Sequence, residues 1–232
     1  MKKGKIIFAV MLAAALAASA FGKKEVRMTA AQVIAGKGMI RLMEENIEHP
    51  KVALTFDDGP SAKYTPQLLD GLKERGIHAT FFLMGKNIVG NEQLVKRIQD
   101  EGHLIGNHTY NHVQLNKISE AKAKEEIEKT SNEIYEITGT YPVYLRPPFG
   151  AWRKDLELTV TMFPVFWDID TLDWKSKNVC SVLNIVESNV EDGAIILMHD
   201  GYQTSVEAAL QIVDLLSGQG YDFVTVDTLV VP

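Results

Sequence analysis

Two adjacent carboxylates stand where the first apolar strand pattern of this sequence ends. Residues Val52–Phe56 have the short apolar pattern of a buried strand, and Asp57-Asp58-Gly59-Pro60 follows directly. Asp, Gly and Pro are also the residues of ordinary turns, so a plain turn is the alternative. Adjacent carboxylates beside apolar residues repel each other and lose hydration, which a bound cation usually offsets. The pair therefore predicts a cation site, provided that further ligands lie nearby.

A pair of histidines four residues apart follows another predicted strand, Leu104–Gly106. His108 and His112 face the same way if their segment is helical or tightly turned, and neutral imidazoles bind divalent transition metals. The spacing alone is weak evidence for a metal site, and an exposed polar loop is the alternative. Together with Asp57 and Asp58 at a comparable strand end, the pair predicts a site of two histidines and one carboxylate, with positions left for water and substrate.

Two further strand ends carry groups that suit electrostatic positioning and proton transfer. Arg146 begins the stiff segment RPPFG, which fixes its guanidinium where it can hold a carboxylate in place. A lone histidine after an apolar strand is usually structural, but His199 is the third histidine of a converging set and is a candidate proton donor. The segment 167–174 adds acids and two indoles, which suit stacking on sugar rings, with core packing as the alternative for one indole.

The elements that position these groups alternate between strand and helix patterns. The apolar runs predicted as strands are Val52–Phe56, His78–Leu83, Leu104–Gly106, Val143–Leu145, Val165–Ile169, Ala194–Met198 and Phe223–Val226. The helical patterns are Thr65–Arg75, Asn91–Glu101, Ser119–Thr138, Trp152–Thr161, Asn178–Val190 and Ser205–Ser217. This alternation, without a glycine-rich phosphate loop after the first strand, favours a closed parallel barrel over an open nucleotide-binding sheet. In such barrels the chemistry collects at the carboxyl ends of the strands.

The composition fits one globular domain without a nucleic-acid partner. The chain has 232 residues, 46% hydrophobic and 23% charged, and no repeat or linker marks a second domain. A net charge of −6 with scattered Lys and Arg argues against nucleic acid, and we expect a monomer. Ser119 and Gly139 are predicted to cap the long helix. Its charged residues are interpreted as surface pairs: Lys122, Lys124, Glu125, Glu126, Glu128 and Lys129.

Residues 1–22 form a segment of a different kind. Lysines precede an apolar run over residues 6–18, and Ala18-Ser19-Ala20 has the small residues of a secretory cleavage site after Ala20. A retained membrane anchor is the alternative, although the run is short for a span, and membrane contact is expected only through this segment. Residues 23–50 are interpreted as a lead-in and 51–232 as the functional domain. The layout predicts a protein that is secreted or associated with the cell envelope.

Other residues of types that often do chemistry are expected to be structural or exposed. Cys180, the single cysteine, cannot form an internal disulfide and is expected to be a buried apolar residue in a helix. His49, His78 and His103 have no matching partners in the sequence, so we expect structural or surface roles for them.

The sequence resembles the polysaccharide deacetylases of carbohydrate esterase family four, also called the NodB homology domain. The motifs that carry the resemblance occur in family order: TFDDGP at 55–60, HTYNH at 108–112, RPPFG at 146–150, DTLDW at 170–174 and LMHD at 197–200. The resemblance covers roughly Lys51 to Val230. It implies a distorted (β/α) barrel of about seven parallel strands, with residues 51–232 as a polysaccharide deacetylase catalytic domain.

The resemblance also implies a role for each matching residue of the reaction centre. Asp57 would be the general base, and His199 would be the general acid. Asp58, His108 and His112 would hold a divalent metal. Zn²⁺ suits this ligand set, with Co²⁺ or Ni²⁺ as alternatives.

Further matching residues would support the reaction centre. Arg146 would orient Asp57. Asp173 would bond His199, with Asp170 as the second choice because the motif offers two acids. The residues implied to bind the acetyl group and the sugar are Pro148, Phe149, Trp174 and Leu197. The family often has Tyr at the position of Phe149. Phe serves equally if the role is a backbone N–H contact to the oxyanion, whereas a role for the hydroxyl would be lost.

The implied activity is metal-dependent hydrolysis of N-acetyl groups on an acetylated polysaccharide. N-Acetylglucosamine of peptidoglycan is the first expected substrate, and chitin oligomers are the next. One alternative is an O-acetyl esterase that acts on xylan with the same machinery. The other is a catalytically silent carbohydrate-binding protein, against which the complete set of acid, base and metal ligands argues.

Overall fold

The computed structural model describes residues 48–154, 156, 158 and 161–230. The interpretations of residues 1–22 as a signal or anchor, and of all but the end of the 23–50 lead-in, fall outside these residues. Within the described part of the chain, no helix combines the length and the apolar character that crossing a membrane requires.

A curled sheet of parallel strands forms the centre of the domain. The strands are β1 (Lys51–Asp57), β2 (Thr80–Leu83), β3 (Leu104–Asn107), β4 (Tyr144–Leu145), β5 (Phe163–Pro164), β6 (Ile169–Asp170), β7 (Ala194–His199) and β8 (Asp222–Phe223). Their order is β5-β4-β3-β2-β1-β7-β6, and β8 pairs with the start of β1. The predicted distorted parallel barrel is confirmed in this sheet.

Helices follow most of the strands and cover the outside of the sheet. They are α1 (Thr65–Glu74), α2 (Gly85–Ile88), α3 (Glu92–Asp100), α4 (Glu120–Thr138), α5 (Asp173–Ser176), α6 (Val179–Asn189), α7 (Gln203–Gly218) and α8 (Val226–Leu229). The predicted caps of the long helix α4 are confirmed. Ser119 Oγ accepts from Lys122 N, and Gly139 ends the helix at φ 72°, a left-handed conformation that glycine adopts without a steric penalty.

Strand alternation divides β1 between two cores and aims its last residue at the interior. Successive strand residues point to opposite faces of a sheet. Leu54 and Phe56 pack in the core under the helices, whereas Ala53 packs with Phe82 in a second core on the inner face. The same alternation turns Asp57 toward the inner face, at the carboxyl end of the strand. The Asp57 carboxylate therefore lies in the barrel interior because Asp57 is an even number of residues away from Ala53 along the strand and shares its face.

The side chain of Arg146 crosses the interior and is 0% exposed to solvent. Its guanidinium carbon lies 4.2 Å from the centroid of the Phe82 ring. Nη1 donates to Thr55 Oγ1 at 2.6 Å and to Asp57 Oδ1 at 2.9 Å. A buried charge is tolerated when it is paired and its donors are used, and β1 supplies both conditions.

The segment after β5 spans the gap between the two ends of the sheet, and the single strand predicted over Val165–Ile169 is wrong. Among the described residues, no ladder joins β5 to β6. Val165 N donates to β4 at 2.8 Å, and Asp168 N donates to β7 at 2.9 Å. The carbonyls of Val165 and Phe166 accept from Arg146 Nε and Nη2. A buried guanidinium thus takes the place of ladder partners for these carbonyls.

Two other predicted elements differ from the structure. The described residues of the predicted helix Trp152–Thr161 are not helical; Trp152, Leu156 and Leu158 lie in an irregular segment that packs on a small core. Their apolar spacing therefore reflects a covering loop. The predicted strand Phe223–Val226 is also displaced, because pairing with β1 ends at Phe223 and Val226 begins α8.

Two burial predictions are wrong for a related reason. Cys180 lies in α6 as predicted, but it is exposed, because Val182 and Val186 form the buried face of that helix. Glu126, interpreted as a surface residue of the long helix, is 2% exposed and faces the protein interior. In both cases the sequence predicts the helix correctly, but it does not predict which face of the helix is buried.

Replacing Arg146 with Ala is expected to lower the free energy of unfolding by about 3–5 kcal/mol, because the buried carboxylate of Asp57 loses its partner. Chemical denaturation of both proteins measures the difference. Arg75→Ala is the matched control: its ion pair with Asp214 lies at the surface, where such pairs contribute about 0–1 kcal/mol. Equal losses in the two variants would contradict a structural role for the buried guanidinium.

Candidate active site

The carboxyl ends of several strands meet at one pocket, which brings the predicted site residues together. Asp57 of β1 is in register with His199 of β7. The pocket has a volume of about 420 Å³. The predicted base, acid and metal ligands all line it: Asp57, Asp58, His108, His112 and His199. The other two motifs contribute Phe149 and Trp174, so all the motifs that carry the family resemblance reach this pocket.

Asp58, His108 and His112 direct one ligand atom each toward a common region. These atoms lie within 4.8 Å of one another, and Asp58 Oδ1 is 3.5 Å from Nε2 of each histidine. Asp58 Oδ1 is buried and accepts no hydrogen bond from the described residues. A buried carboxylate oxygen without a hydrogen-bond donor is unfavourable, and a cation bound at this atom would compensate for the missing donor. The donor set fits a divalent transition metal.

Left-handed backbone conformations aim two of these ligands. Asp58 has φ 69° and His112 has φ 59°, and Thr109 between the histidines has φ 62°. Residues with a Cβ rarely adopt such angles, and those that do cluster at functional sites. Since Asp57 points to the inner face, an extended continuation of the strand would turn Asp58 away from it. The left-handed turn instead lets both carboxylates face the pocket.

Neighbouring groups fix the orientation and the protonation of the histidine ligands. His108 Nδ1 lies 2.7 Å from the carbonyl oxygen of Arg146. A carbonyl only accepts, so the proton belongs on Nδ1 and the lone pair of Nε2 faces the metal site. Burial, together with the nearby His108, lowers the pKa of His112. His112 is therefore neutral at neutral pH, which is the state that binds a metal.

Glu126 of the long helix supports the second histidine, a role that the sequence analysis missed. Its carboxylate accepts from Asn111 N at 2.7 Å and from Asn111 Nδ2 at 2.9 Å. These bonds fix the residue that precedes His112. The signal in the sequence was the helical spacing of Glu126 from the apolar or uncharged residues Ala123 and Thr130, which share its buried face.

Arg146 occupies one oxygen of Asp57 and leaves the other facing the metal ligands. Asp57 Oδ1 accepts from Arg146 Nη1, and Asp57 Oδ2 lies 3.6 Å from His108 Nε2. The guanidinium offsets part of the repulsion between the two adjacent carboxylates. Oδ2 of Asp57 is thus the oxygen placed to accept a proton beside the metal site.

The predicted acid and its carboxylate partner lie on the opposite side of the pocket. Asp173 Oδ1 is 2.8 Å from His199 Nδ1, and Asp173 Oδ2 accepts from His199 N at 2.9 Å. Burial opposes a charge on His199, but the hydrogen bond and the charge of Asp173, with the charges of Asp57 and Asp58, raise the pKa of His199 to about 9. Burial likewise opposes the charge on Asp173, yet the bond from His199 holds the pKa of Asp173 below its ordinary value.

Asp170, the second choice as partner of His199, has a different environment. Its Oδ1 accepts from Leu172 N at 3.0 Å, within its own turn, and the residue lines the pocket. With Nδ1 of His199 bonded to Asp173, Nε2 is the ring nitrogen left to face a substrate.

Aromatic and apolar side chains form the walls of the pocket. Phe149 is 63% exposed, and its ring packs against His112 with centroids 4.6 Å apart. Trp174 is 46% exposed, and Leu197, which also lines the pocket, is buried. Pro148 is buried and does not line the pocket, unlike the other residues that the family pattern assigns to substrate. Sequence analysis did not single out Tyr202, which also lines the pocket.

The fold and the site define a class of protein: a distorted parallel barrel whose strand ends bring a candidate metal site of two histidines and one carboxylate together with an Arg-paired carboxylate and an Asp-paired histidine. The family model described as Polysaccharide deacetylase matches residues 44–163. The chain belongs to the polysaccharide deacetylase family, which confirms the resemblance carried by the motifs.

Named relatives agree with this membership. The peptidoglycan-N-acetylglucosamine deacetylase PgdA of Listeria monocytogenes is 41% identical over 179 residues, which are 77% of this chain and 38% of the relative. The peptidoglycan-N-acetylmuramic acid deacetylase PdaC of Bacillus subtilis is 38% identical over 194 residues, which are 82% of this chain and 42% of the relative. The chain thus spans about two fifths of their length. A solved structure of PdaC has a TM-score of 0.75 and covers 78% of this chain and 90% of that one.

Removing one metal ligand is expected to release a bound divalent metal without unfolding the domain. Asp58→Ala and His112→Ala each leave two ligands, too few for a stable site of this type. Elemental analysis after dialysis measures metal per chain, and thermal unfolding with and without added Zn²⁺ measures the linked stability. His78→Ala is the control, because His78 is exposed and packs against His103 outside the pocket. Full metal content in either ligand variant would contradict the ligand set.

Replacing Asp173 with Asn is expected to lower the pKa of His199 by about one to three units, because an opposite charge at hydrogen-bond distance is lost. NMR titration of the metal-free protein measures this pKa against the value of about 9 for the native pair. Asp170→Asn is the matched control and is expected to give the smaller shift, since Asp170 bonds its own turn. A larger shift in the Asp170 variant would assign the partner role to that residue.

Proposed function

We propose that this protein is a metal-dependent deacetylase that hydrolyses N-acetyl groups on a bacterial cell-wall polysaccharide, with N-acetylglucosamine of peptidoglycan as the main substrate. The observation that carries this proposal is the arrangement of the pocket. Three metal ligands converge between an Arg-paired carboxylate and an Asp-paired histidine. This order of groups matches what hydrolysis of an amide requires: an activated water, a stabilised oxyanion and a proton for the departing amine.

Asp58, His108 and His112 would hold the metal, for which Zn²⁺ is our first choice. A metal at these ligands supplies Lewis-acid chemistry: it polarises an acetyl carbonyl and lowers the pKa of water toward about 7. Asp57 takes the proton of the attacking water at Oδ2, because Oδ1 is held by Arg146. Arg146 keeps that carboxylate in place during the transfer.

His199 delivers the second proton, to the nitrogen of the departing sugar amine. Its raised pKa keeps the imidazole protonated at neutral pH, and Nδ1 is fixed by Asp173. The proton on Nε2 is therefore the one that faces the substrate. Since this acid must be protonated, the activity is expected to fall as the pH rises through the pKa of His199. Asp173→Asn should move this decline toward lower pH.

The open aromatic walls support a sugar polymer as the substrate. Phe149 and Trp174 are 63% and 46% exposed, and apolar rings at a pocket mouth can stack on pyranose faces. Relatives that the chain resembles are named for either N-acetylglucosamine or N-acetylmuramic acid of peptidoglycan. We place this protein at the bacterial envelope, directed there by residues 1–22, and propose that it acts as a monomer.

Acetate release from several polysaccharides tests the proposal directly. The full chain is incubated in parallel with peptidoglycan, chitin oligomers and acetylated xylan, with chelator and after Zn²⁺ is added back. We expect release from peptidoglycan that chelation abolishes and metal restores. Stronger release from acetylated xylan would favour the O-acetyl esterase. Glycan binding by folded, metal-loaded protein without acetate release would favour a silent binding protein.

Asp57→Asn and His199→Ala are expected to reduce turnover by about 10²–10⁴-fold while metal content is kept, because each removes a proton transfer. On an ester substrate the loss in His199→Ala should be smaller, since an alkoxide leaves more easily than an amine. Arg75→Ala, a surface substitution outside the pocket, is the control. Turnover near the native rate in either pocket variant would overturn the assignment of that residue.

A further inference from the structure

An exposed lysine, Lys177, lies against an aromatic residue that lines the pocket. Lys177 Nζ lies 4.5 Å from the centroid of the Tyr202 ring. Tyr202 lines the pocket beside His199 and Trp174. Among the described residues, no carboxylate lies within ion-pair distance of this ammonium group, so its charge is free to meet a ligand.

The backbone of Lys177 is fixed in a conformation that its residue type does not favour. Lys177 ends α5 with φ 45°, and its N–H donates to the carbonyl of Asp173 at 3.0 Å. Glycine would adopt this left-handed position without a steric penalty. A residue that breaks a local rule beside an active site points to a use for its side chain. Through Asp173, the partner of His199, the lysine is also tied to the catalytic groups.

The negative charge around the pocket explains how a lysine could assist the binding of an acidic polymer. Asp57, Asp58 and Asp170 line the pocket, and the whole chain has a formal net charge of −6. Inside the pocket, Arg146, His199 and a divalent metal at Asp58 would offset the carboxylates. The net negative charge of the chain still repels an acidic polymer that approaches the mouth, unless a local cation there attracts it. Lys177 supplies such a cation at the rim, and its contact with the Tyr202 ring limits the freedom of the long side chain.

We propose that Lys177 and Tyr202 form a subsite for a carboxylate on the polysaccharide, close to the sugar that loses its acetyl group. The proposal rests on the proposed function and narrows it, because it favours acidic glycans over neutral ones. Peptidoglycan carries carboxylates on the lactyl groups of its muramic acid, where these are free, and on its stem peptides. Chitin oligomers carry none. The tyrosine ring would pack on the sugar or lactyl carbons while the ammonium group binds the carboxylate.

The test is a ratio: kcat/KM for acetate release from peptidoglycan glycan strands, divided by kcat/KM on chitin oligomers. Lys177→Gln is expected to lower this ratio about threefold to tenfold, in the range of an ion pair at a partly exposed site. Lys177→Arg should keep the ratio, and Lys177→Glu should lower it further. Lys175→Gln is the matched control, since it removes the same charge two residues earlier, within α5. Added salt should reduce the native ratio and leave that of Lys177→Gln nearly constant.

Two forms of the glycan separate the sources of the carboxylate. Strands freed of stem peptides present the lactyl carboxylate, and strands that keep their peptides present peptide carboxylates. Loss of selectivity on either form supports the subsite and names its ligand. Amidation of the carboxylates should abolish the effect of Lys177→Gln.

An unchanged ratio in Lys177→Gln, or the same fall in Lys175→Gln, would overturn the subsite while native acetate release still upholds the deacetylase. A fall that persists on amidated strands would also overturn it. No acetate from any glycan with the native protein would instead overturn the proposed function and, with it, the subsite.

Discussion

The buried guanidinium of Arg146 is the interaction on which the rest of the structure depends. Its donors are met by the Asp57 carboxylate, the Thr55 hydroxyl and the carbonyls of residues 165 and 166. Without these acceptors a buried cation would be strongly destabilising. Because they come from β1 and from the segment after β5, one side chain joins parts of the barrel wall that no ladder joins in the described chain. The same contacts hold a carboxylate on the inner face, where the chemistry takes place.

Local geometry then places the groups that react. Strand parity sends Asp57 inward, and left-handed residues such as Asp58 and His112 turn the chain so that neighbouring side chains reach the same pocket. Such residues are individually unfavourable, by roughly 1–3 kcal/mol each. The parallel sheet and buried contacts such as that of Glu126 with Asn111 compensate for the free-energy cost of these conformations. Strain is thus concentrated at the pocket, and regular packing is concentrated under the helices.

The sequence predicts the site better than it predicts some of the fold. Polar residues that directly follow apolar strands must meet at one edge of a parallel sheet, so the sequence alone groups the two carboxylates with the three histidines. Rotation of a helix about its axis depends on tertiary packing, which is why Glu126 and Cys180 were placed on the wrong faces. Likewise, nothing local shows that the carbonyls after Val165 bond to a distant guanidinium. The apolar spacing from Trp152 onward fits both a helix and a covering loop.

Arg146 holds two parts of the site at once, with its backbone and with its side chain. Its carbonyl orients His108, and its guanidinium orients Asp57. One buried residue therefore contacts both His108 and Asp57 and couples their positions. Substitution of an exposed side chain at the pocket mouth, such as Trp174, can therefore change which polymer fits while Arg146 keeps its contacts with His108 and Asp57.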